Sequence, residues 1–106
     1  MGRWVRVARA DEVPPGSGKT VHATGIPLAL FNEGGEFFAI DDTCPHQGAS
    51  LGEGLLHEGR VICPWHSWVF EIRTGRCAHV PEIGVSGYPT RRSGDAIEVE
   101  VPEAAT

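Results

Sequence analysis

Two short clusters of cysteine and histidine hold the residues best suited to chemistry in this chain. The first reads CPH at residues 44–46, and the second, which starts after sixteen intervening residues, reads CPWH at residues 63–66. Thiolate sulfur and imidazole nitrogen are common ligands of zinc and of the iron in iron–sulfur clusters. The candidate metal ligands are therefore Cys44, His46, Cys63 and His66.

The spacing within each cluster separates two kinds of metal site. One residue lies between Cys44 and His46, whereas two lie between Cys63 and His66. Structural zinc sites usually pair ligands that are two to four residues apart, so a gap of one residue is awkward for a single tetrahedral ion. A dinuclear iron–sulfur cluster has two separate irons, and each loop can give its cysteine to one and its histidine to the other. Zinc, or cysteines without metal, remain the alternatives.

Composition describes one small acidic domain. The chain has 106 residues, with 41% hydrophobic and 22% charged residues, which is ordinary for a globular protein. Its net charge of −5 argues against a nucleic-acid or membrane-surface binder and favours a partner with a positive face. No apolar run is long enough for a membrane span, and the N-terminus lacks the apolar core of a signal peptide, so we expect a cytoplasmic protein.

The number of cysteines also favours a metal site. Three cysteines cannot all pair within one chain, and no secretion signal accompanies them. A disulfide framework is therefore a weaker interpretation than metal binding or redox chemistry.

The hydrophobic pattern predicts an all-β fold. Apolar and polar residues alternate in several short runs, no segment keeps a period of 3.6 residues, and fourteen glycines and eight prolines are spread along the chain. The predicted strands are 4–8, 20–23, 26–31, 37–40, 60–62, 68–72, 77–80 and 96–101. The predicted turns or loops are 11–18, 32–36, 73–76 and 92–95. Residues 1–106 thus form a single β domain, either a sandwich or a barrel.

These elements place both clusters on loops. The CPH loop follows strand 37–40, and the CPWH loop joins strands 60–62 and 68–72. Two loops at one end of a rigid β scaffold can hold a single cofactor between them.

The full pattern resembles the Rieske 2Fe–2S signature. CPH, sixteen residues and CPWH match its C-x-H and C-x-x-H halves, and the resemblance extends to QGASLGEGLL, CPWHSWVFEIRTG and the Tyr88-Pro89 pair. It implies a Rieske-like antiparallel β-sandwich with a cluster-binding subdomain of two loops. It further implies that Cys44 and Cys63 bind one iron, while His46 and His66 bind the other, nearer solvent.

The resemblance also implies a function and a rival to it. Rieske ferredoxins of ring-hydroxylating oxygenase systems carry one electron from a flavoprotein reductase to a terminal oxygenase. The chain would then be an electron-transfer component rather than a stand-alone enzyme, and no catalytic constellation argues otherwise. The rival is the small subunit of an assimilatory NAD(P)H-nitrite reductase, to which the second loop and the late Tyr-Pro pair are also similar. A zinc-stabilised interaction module is a third possibility.

Departures from the high-potential members of the family predict a low reduction potential. Those members carry a disulfide between the two loops, but the matching positions here are Ala49 and Trp65. They also carry hydroxyl donors where this chain has Trp68 and Phe70. Fewer donors stabilise the reduced cluster less, so we expect the lower part of the roughly −150 to +300 mV range of Rieske centres, below about +150 mV.

The remaining polar residues receive structural interpretations. Cys77 is expected to be a half-buried thiol outside any disulfide, and His22, His57 and His79 have no ligand spacing. Trp65 is a candidate for the docking surface. Five acidic residues are expected on solvated faces: Asp11, Glu12, Asp41, Asp42 and Glu53. The pair Asp41 and Asp42 would then add negative charge beside the cluster.

Overall fold

The computed structural model describes residues 2–44, 49–64, 68–78, 80 and 82–102. Over these residues the chain forms ten β-strands and two short 3-10 turns, Ala10–Glu12 and Leu51–Glu53. The strands are β1 (Gly2–Arg9), β2 (Ser17–Ala23), β3 (Ile26–Glu33), β4 (Glu36–Asp41), β5 (Leu55–His57), β6 (Arg60–Ile62), β7 (Val69–Glu71), β8 (Gly87–Tyr88), β9 (Thr90–Ser93) and β10 (Ala96–Pro102). No helix in the described part of the chain is long and apolar enough to cross a bilayer.

The strands form three antiparallel sheets. Their strand orders are β1-β10-β9, β2-β3-β4-β8 and β5-β6-β7. The first two sheets pack face to face, and β10 contributes Ile97, Val99 and Val101 at period two to the apolar layer between them. This arrangement confirms the predicted all-β antiparallel fold.

The second sheet is buried on both faces, which explains the apolar sequence of its central strand. In β3, Leu28 and Leu30 face the first sheet, whereas Ala29 and Phe31 face the side of the third sheet and the cysteine loops. All four residues are fully buried. A strand covered on both sides reads as a continuous apolar run instead of an alternating one, as residues 28–31 do.

The second hydrophobic layer lies beneath the two cysteine loops. It joins Phe31 and Ile40 of the second sheet to Val61 and Phe70 of the third. The third sheet is a small meander whose β6–β7 hairpin carries the second loop. The predicted subdomain therefore contains a three-stranded sheet as well as loops.

Most predicted strands are confirmed, with boundaries shifted by a few residues. Strands β5, β8 and β9 were not predicted, because they have only two to four residues and lack a clear alternation. The predicted strand 77–80 is wrong over its described residues: Cys77 forms an isolated bridge with Phe70, and no strand continues from it.

Candidate metal centre

The first loop leaves the end of β4 and closes at Cys44. Thr43 and Ser50 form an isolated antiparallel bridge, and the backbone N–H of Cys44 donates to the carbonyl oxygen of Ala49 at 2.8 Å. The Cys44 side chain is 1% exposed. Backbone pairing of residues 43–44 with residues 49–50 therefore closes the base of the first loop. We call such a closure a neck, and the cysteine in this one is buried.

The second loop leaves β6 and closes at Cys63. Ile62 pairs with Val69 at the end of the hairpin, and the N–H of Cys63 donates to the carbonyl of Trp68 at 2.7 Å. Cys63 is 2% exposed. This neck continues a regular β-ladder, whereas the first neck does not.

The two necks have the same hydrogen-bond pattern. In each, the cysteine N–H donates to the carbonyl oxygen of the residue five positions later in the sequence. Cys44 and Cys63 also belong to one hydrophobic cluster with Ala49 and Phe70. The two buried cysteines therefore occupy equivalent positions in their loops, although their sequence spacing to the histidines differs. We call the hydrophobic cluster that both contact the apolar floor.

The histidine half of the predicted site lies outside the described residues. This applies to His46 and His66, and also to the docking candidate Trp65 and to His79. Within the described positions, which include only two of the four predicted ligands, no group of three or more His, Cys, Asp or Glu residues forms a metal site. The structure brings the two cysteines into one core and leaves the four-ligand assignment a prediction.

The cysteines fit the chemistry of a metal–sulfur site. None of the chain's three cysteines, all within the described residues, forms a disulfide. Two reduced sulfurs buried at loop necks in an apolar layer can act as thiolates if a cation offsets their charge, because an unpaired buried anion is costly.

Cys77 shares the apolar layer but not the loop geometry. It is 1% exposed, so the prediction of a half-buried thiol is wrong. Its backbone bridges Phe70, and its N–H donates to the carbonyl of Ile83 at 3.0 Å. Cys77 therefore packs as a small apolar residue outside both loop necks.

Asp42 contradicts the prediction of a solvated carboxylate. It is 6% exposed, and its Oδ1 accepts hydrogen bonds from Ser50 Oγ at 2.9 Å and from the Gly52 N–H at 2.8 Å. Thr20 Oγ1 on β2 lies 3.1 Å from the same oxygen. The carboxylate is thus committed to the inside of the first neck and is unavailable as surface charge for docking.

Asp41 is also used internally. Its Oδ1 accepts from the Tyr88 hydroxyl at 2.6 Å, and its Oδ2 accepts from the Ser86 N–H at 3.0 Å. Partial burial and the hydrogen bond to Asp41 raise the pKa of Tyr88 to about 12. The phenol therefore stays protonated and ties β8 to the end of β4. Asp11, Glu12 and Glu53 are exposed, as predicted.

His57 and two glycines complete the described surroundings of the loops. His57 is exposed and ends β5. Gly52 and Gly54 are required by close approach: a Cβ on Gly52 would lie 2.6 Å from Thr20 Oγ1, and one on Gly54 would meet the carbonyl of Ile62. The sequence signal for the Asp42 network was D-x-x-x-x-x-x-x-S-x-G, whose members are too far apart to connect by local rules.

Comparison with known proteins identifies the family. A profile of the Rieske 2Fe–2S domain matches residues 3–89. The 3-phenylpropionate/cinnamic acid dioxygenase ferredoxin subunit of Shigella flexneri serotype 5b (strain 8401) is 38% identical over 95 residues, which cover 88% of this chain and 89% of that protein.

Solved structures share the fold over nearly the whole chain. A chain from the complex of reduced oxygenase and oxidised ferredoxin in carbazole 1,9a-dioxygenase matches with a TM-score of 0.84 at 30% identity, covering 97% of each chain. A small subunit assigned to an NADH-dependent nitrite reductase from Mycobacterium tuberculosis matches with a TM-score of 0.90 at 25% identity, covering 98% of this chain and 99% of that one. The chain therefore belongs to the Rieske 2Fe–2S domain family, and its cofactor is a 2Fe–2S cluster.

Proposed function

We propose that this chain is a one-electron carrier in which Cys44 and Cys63 bind one iron of the cluster and His46 and His66 bind the other. The observation that carries the assignment is the matched pair of necks, each with a buried cysteine whose N–H is fixed by the carbonyl five residues later. When bound, the cluster supplies a centre that gains and loses a single electron. The chain's own residues hold the loops in place and exclude water from the sulfur side.

The proposed donor and acceptor are a flavoprotein reductase and the terminal oxygenase of a ring-hydroxylating system. Support comes from the dioxygenase ferredoxin subunit that is 38% identical and from the carbazole dioxygenase complex that pairs an oxygenase with a ferredoxin. The net charge of −5 favours partners with basic docking faces.

An apolar row beside the second loop is the proposed contact with the oxygenase. Leu55, Ile62 and Val69 are paired across β5, β6 and β7, so their side chains share one face of the third sheet. That face is opposite the row of buried Val61 and Phe70 and partly buried Leu56, which packs against the core. Leu55 is 67% exposed, and it is the one large apolar side chain so exposed in the described part of the chain. The row adjoins Cys63, which places a desolvated contact next to the centre.

The experiment is single-turnover transfer from the reduced protein to an oxygenase of the ring-hydroxylating class. Leu55→Ser should slow transfer several-fold through weaker docking and leave the cluster's EPR spectrum unchanged. The control is His57→Ser, two residues along the same face and in the charged row. Equal rates for both variants would remove this row from the docking surface, and no transfer by the wild type would contradict the oxygenase assignment.

The nitrite reductase subunit remains the second candidate, because that small subunit matches the fold with a TM-score of 0.90. In that role the chain would stay bound to a large flavin- and sirohaem-containing subunit. Native purification separates the two candidates. A stable complex with such a subunit would support the second, and a protein that exchanges freely between soluble partners supports the first.

The reduction potential tests whether missing hydroxyl groups near the cluster keep its potential low. Phe70 is fully buried and Trp68 packs against the same apolar layer, and neither side chain carries a hydroxyl. We expect a midpoint potential below about +150 mV. A higher value in protein-film voltammetry would mean that donors other than these side chains stabilise the reduced state.

A further inference from the structure

A buried carboxylate stands at the neck of the first loop. Of the described side chains, Asp42 is the only charged one that is buried, and Asn32 is its only buried polar companion. Oδ1 of Asp42 accepts hydrogen bonds from the Ser50 hydroxyl at 2.9 Å and from the Gly52 N–H at 2.8 Å. The side-chain oxygen therefore acts as a hydrogen-bond acceptor for at least two groups of the loop.

The hydrogen bonds around Asp42 also connect the first loop to β2 of the second sheet. Thr20 Oγ1 on β2 lies 2.8 Å from Ser50 Oγ and 3.1 Å from Asp42 Oδ1. In addition, the N–H of Leu51 donates to the Asp42 carbonyl at 2.7 Å. Asp42 thus binds the segment that follows the loop, residues 50–52, with its side chain and its backbone, and the hydroxyls of Ser50 and Thr20 connect this segment to β2.

The backbone at Gly52 approaches this carboxyl group closely. A Cβ on Gly52 would lie 2.8 Å from the Thr20 nitrogen and 3.0 Å from Asp42 Oδ1. The glycine therefore lets its N–H reach the carboxylate. A buried charge carries a considerable desolvation cost, and this carboxyl group lies two residues before Cys44.

We propose that Asp42 is a positioning residue that fixes the first loop and also holds the cluster at a low reduction potential through its buried negative charge. The proposal rests on the function proposed above, in which Cys44 is a ligand. Reduction adds a negative charge to the cluster, and a fixed carboxylate in a low-dielectric interior opposes that addition. The donors Ser50, Gly52 and Thr20 partly neutralise the carboxylate and so moderate the effect.

This role gives two substitutions opposite effects on potential. Asp42→Asn keeps the size of the side chain and an acceptor oxygen but removes the charge, so the midpoint potential should rise. Ser50→Ala keeps the charge but removes a hydroxyl that neutralises it, so the potential should fall. A purely supporting role predicts that both variants loosen the same loop, with lower stability and no reason for potentials of opposite sign.

The measurement is protein-film voltammetry on the cluster-containing protein, with EPR of the reduced state to check that the cluster is intact. The matched control is Glu53→Gln, which removes one exposed carboxylate close in sequence. Its shift should be smaller than that of Asp42→Asn and should vanish at high salt, whereas the Asp42→Asn shift should persist, because buried charges are poorly screened.

Each outcome decides the question. A rise for Asp42→Asn and a fall for Ser50→Ala support the proposal. Equal potentials in wild type and both variants, or shifts of the same sign, overturn it. If Asp42→Asn loses the cluster, the sign of the Ser50→Ala shift alone decides. A wild type without any Rieske EPR signal would instead contradict the proposed function, so the two failures are distinguishable.

Discussion

The two cysteine loops close in the same way but depend on different parts of the molecule. The second neck continues the β6–β7 ladder, so backbone pairing and the packing of Phe70 beneath it are its supports. The first neck has a single bridge, and it is completed by the Asp42 side chain and by hydroxyls from Ser50 and β2. Equivalent positions for two buried cysteines can thus arise from ladder pairing on one side and a polar side-chain network on the other.

This difference predicts which kinds of substitution will destabilise each loop. The second loop should tolerate polar changes at its neck and respond to changes in the apolar floor. The first should respond to changes of a single hydroxyl, carboxyl or glycine. Four predictions follow in order of expected effect; the first three test this contrast, and the fourth tests a contact outside both loops.

Removing either sulfur should abolish the site equally, because the necks are equivalent. Cys44→Ser and Cys63→Ser should each lose nearly all bound cluster, measured as iron and acid-labile sulfide per chain. Cys77→Ser is the matched control: Cys77 is equally buried but lies outside both loop necks, and the variant should retain the cluster. Cluster loss in Cys77→Ser alone would show that the wrong pair of cysteines has been assigned.

Removing the apolar floor should affect the second loop most. Phe70 is fully buried between the third sheet and the core, so Phe70→Ala should lower the free energy of unfolding by about 3–5 kcal/mol. Leu55→Ala, on the exposed face of the same sheet, should change it by less than about 0.5 kcal/mol. Urea unfolding followed by circular dichroism measures both, and similar losses would contradict the assignment of the two faces.

Crowding the first neck should cost less but act locally. Gly52→Ala places a methyl group against Thr20 and Asp42, and we expect a loss of about 1–3 kcal/mol, with faster release of the cluster. In Gly87→Ala the new Cβ would meet its nearest atom at 3.4 Å, an ordinary contact, so little should change. A Gly52→Ala protein as stable as Gly87→Ala would show that the Asp42 network yields easily.

The smallest effect concerns the Tyr88 contact and depends on pH. The folded state raises the pKa of Tyr88 from 10.0 to about 12. A group with a raised folded pKa stabilises the protein fully below its unfolded pKa, and this stabilisation is lost as pH rises through the folded value. Wild type should therefore exceed Tyr88→Phe in stability by about 1 kcal/mol near pH 8, a figure reduced for partial exposure.

The advantage of the wild type should disappear between about pH 10 and pH 12. Urea unfolding of both proteins at several pH values across this window tests the prediction. A difference that is constant with pH would mean that ionisation of Tyr88 does not contribute.

Local patterns in the sequence predicted the regular parts of the fold. The alternation in β10 and the apolar run in β3 predicted these strands, because side-chain period is a local property of the sequence. The short strands β5 and β9 were missed, since their pairing is decided by neighbours that are distant in sequence.

The candidate site shows the same division. Ligand types and spacing predicted Cys44 and Cys63, and the structure places both at loop necks above one core. The burial of Asp42 was not predictable from local rules, because its partners Thr20 and Gly52 come from other segments. An acidic residue in a sequence is normally expected to be exposed to solvent, and only the folded structure shows that Asp42 is buried.

The most direct test of the mixed-ligand cluster is pulsed EPR on the dithionite-reduced protein with ¹⁵N-labelled histidine, together with iron and sulfide analysis. We predict equal amounts of iron and sulfide, and hyperfine couplings from two imidazole nitrogens. If His46→Ala and His66→Ala retain a paramagnetic centre, each variant should lose one of these two couplings. A zinc-containing, EPR-silent protein, or a reduced cluster with no nitrogen coupling, would contradict the assignment.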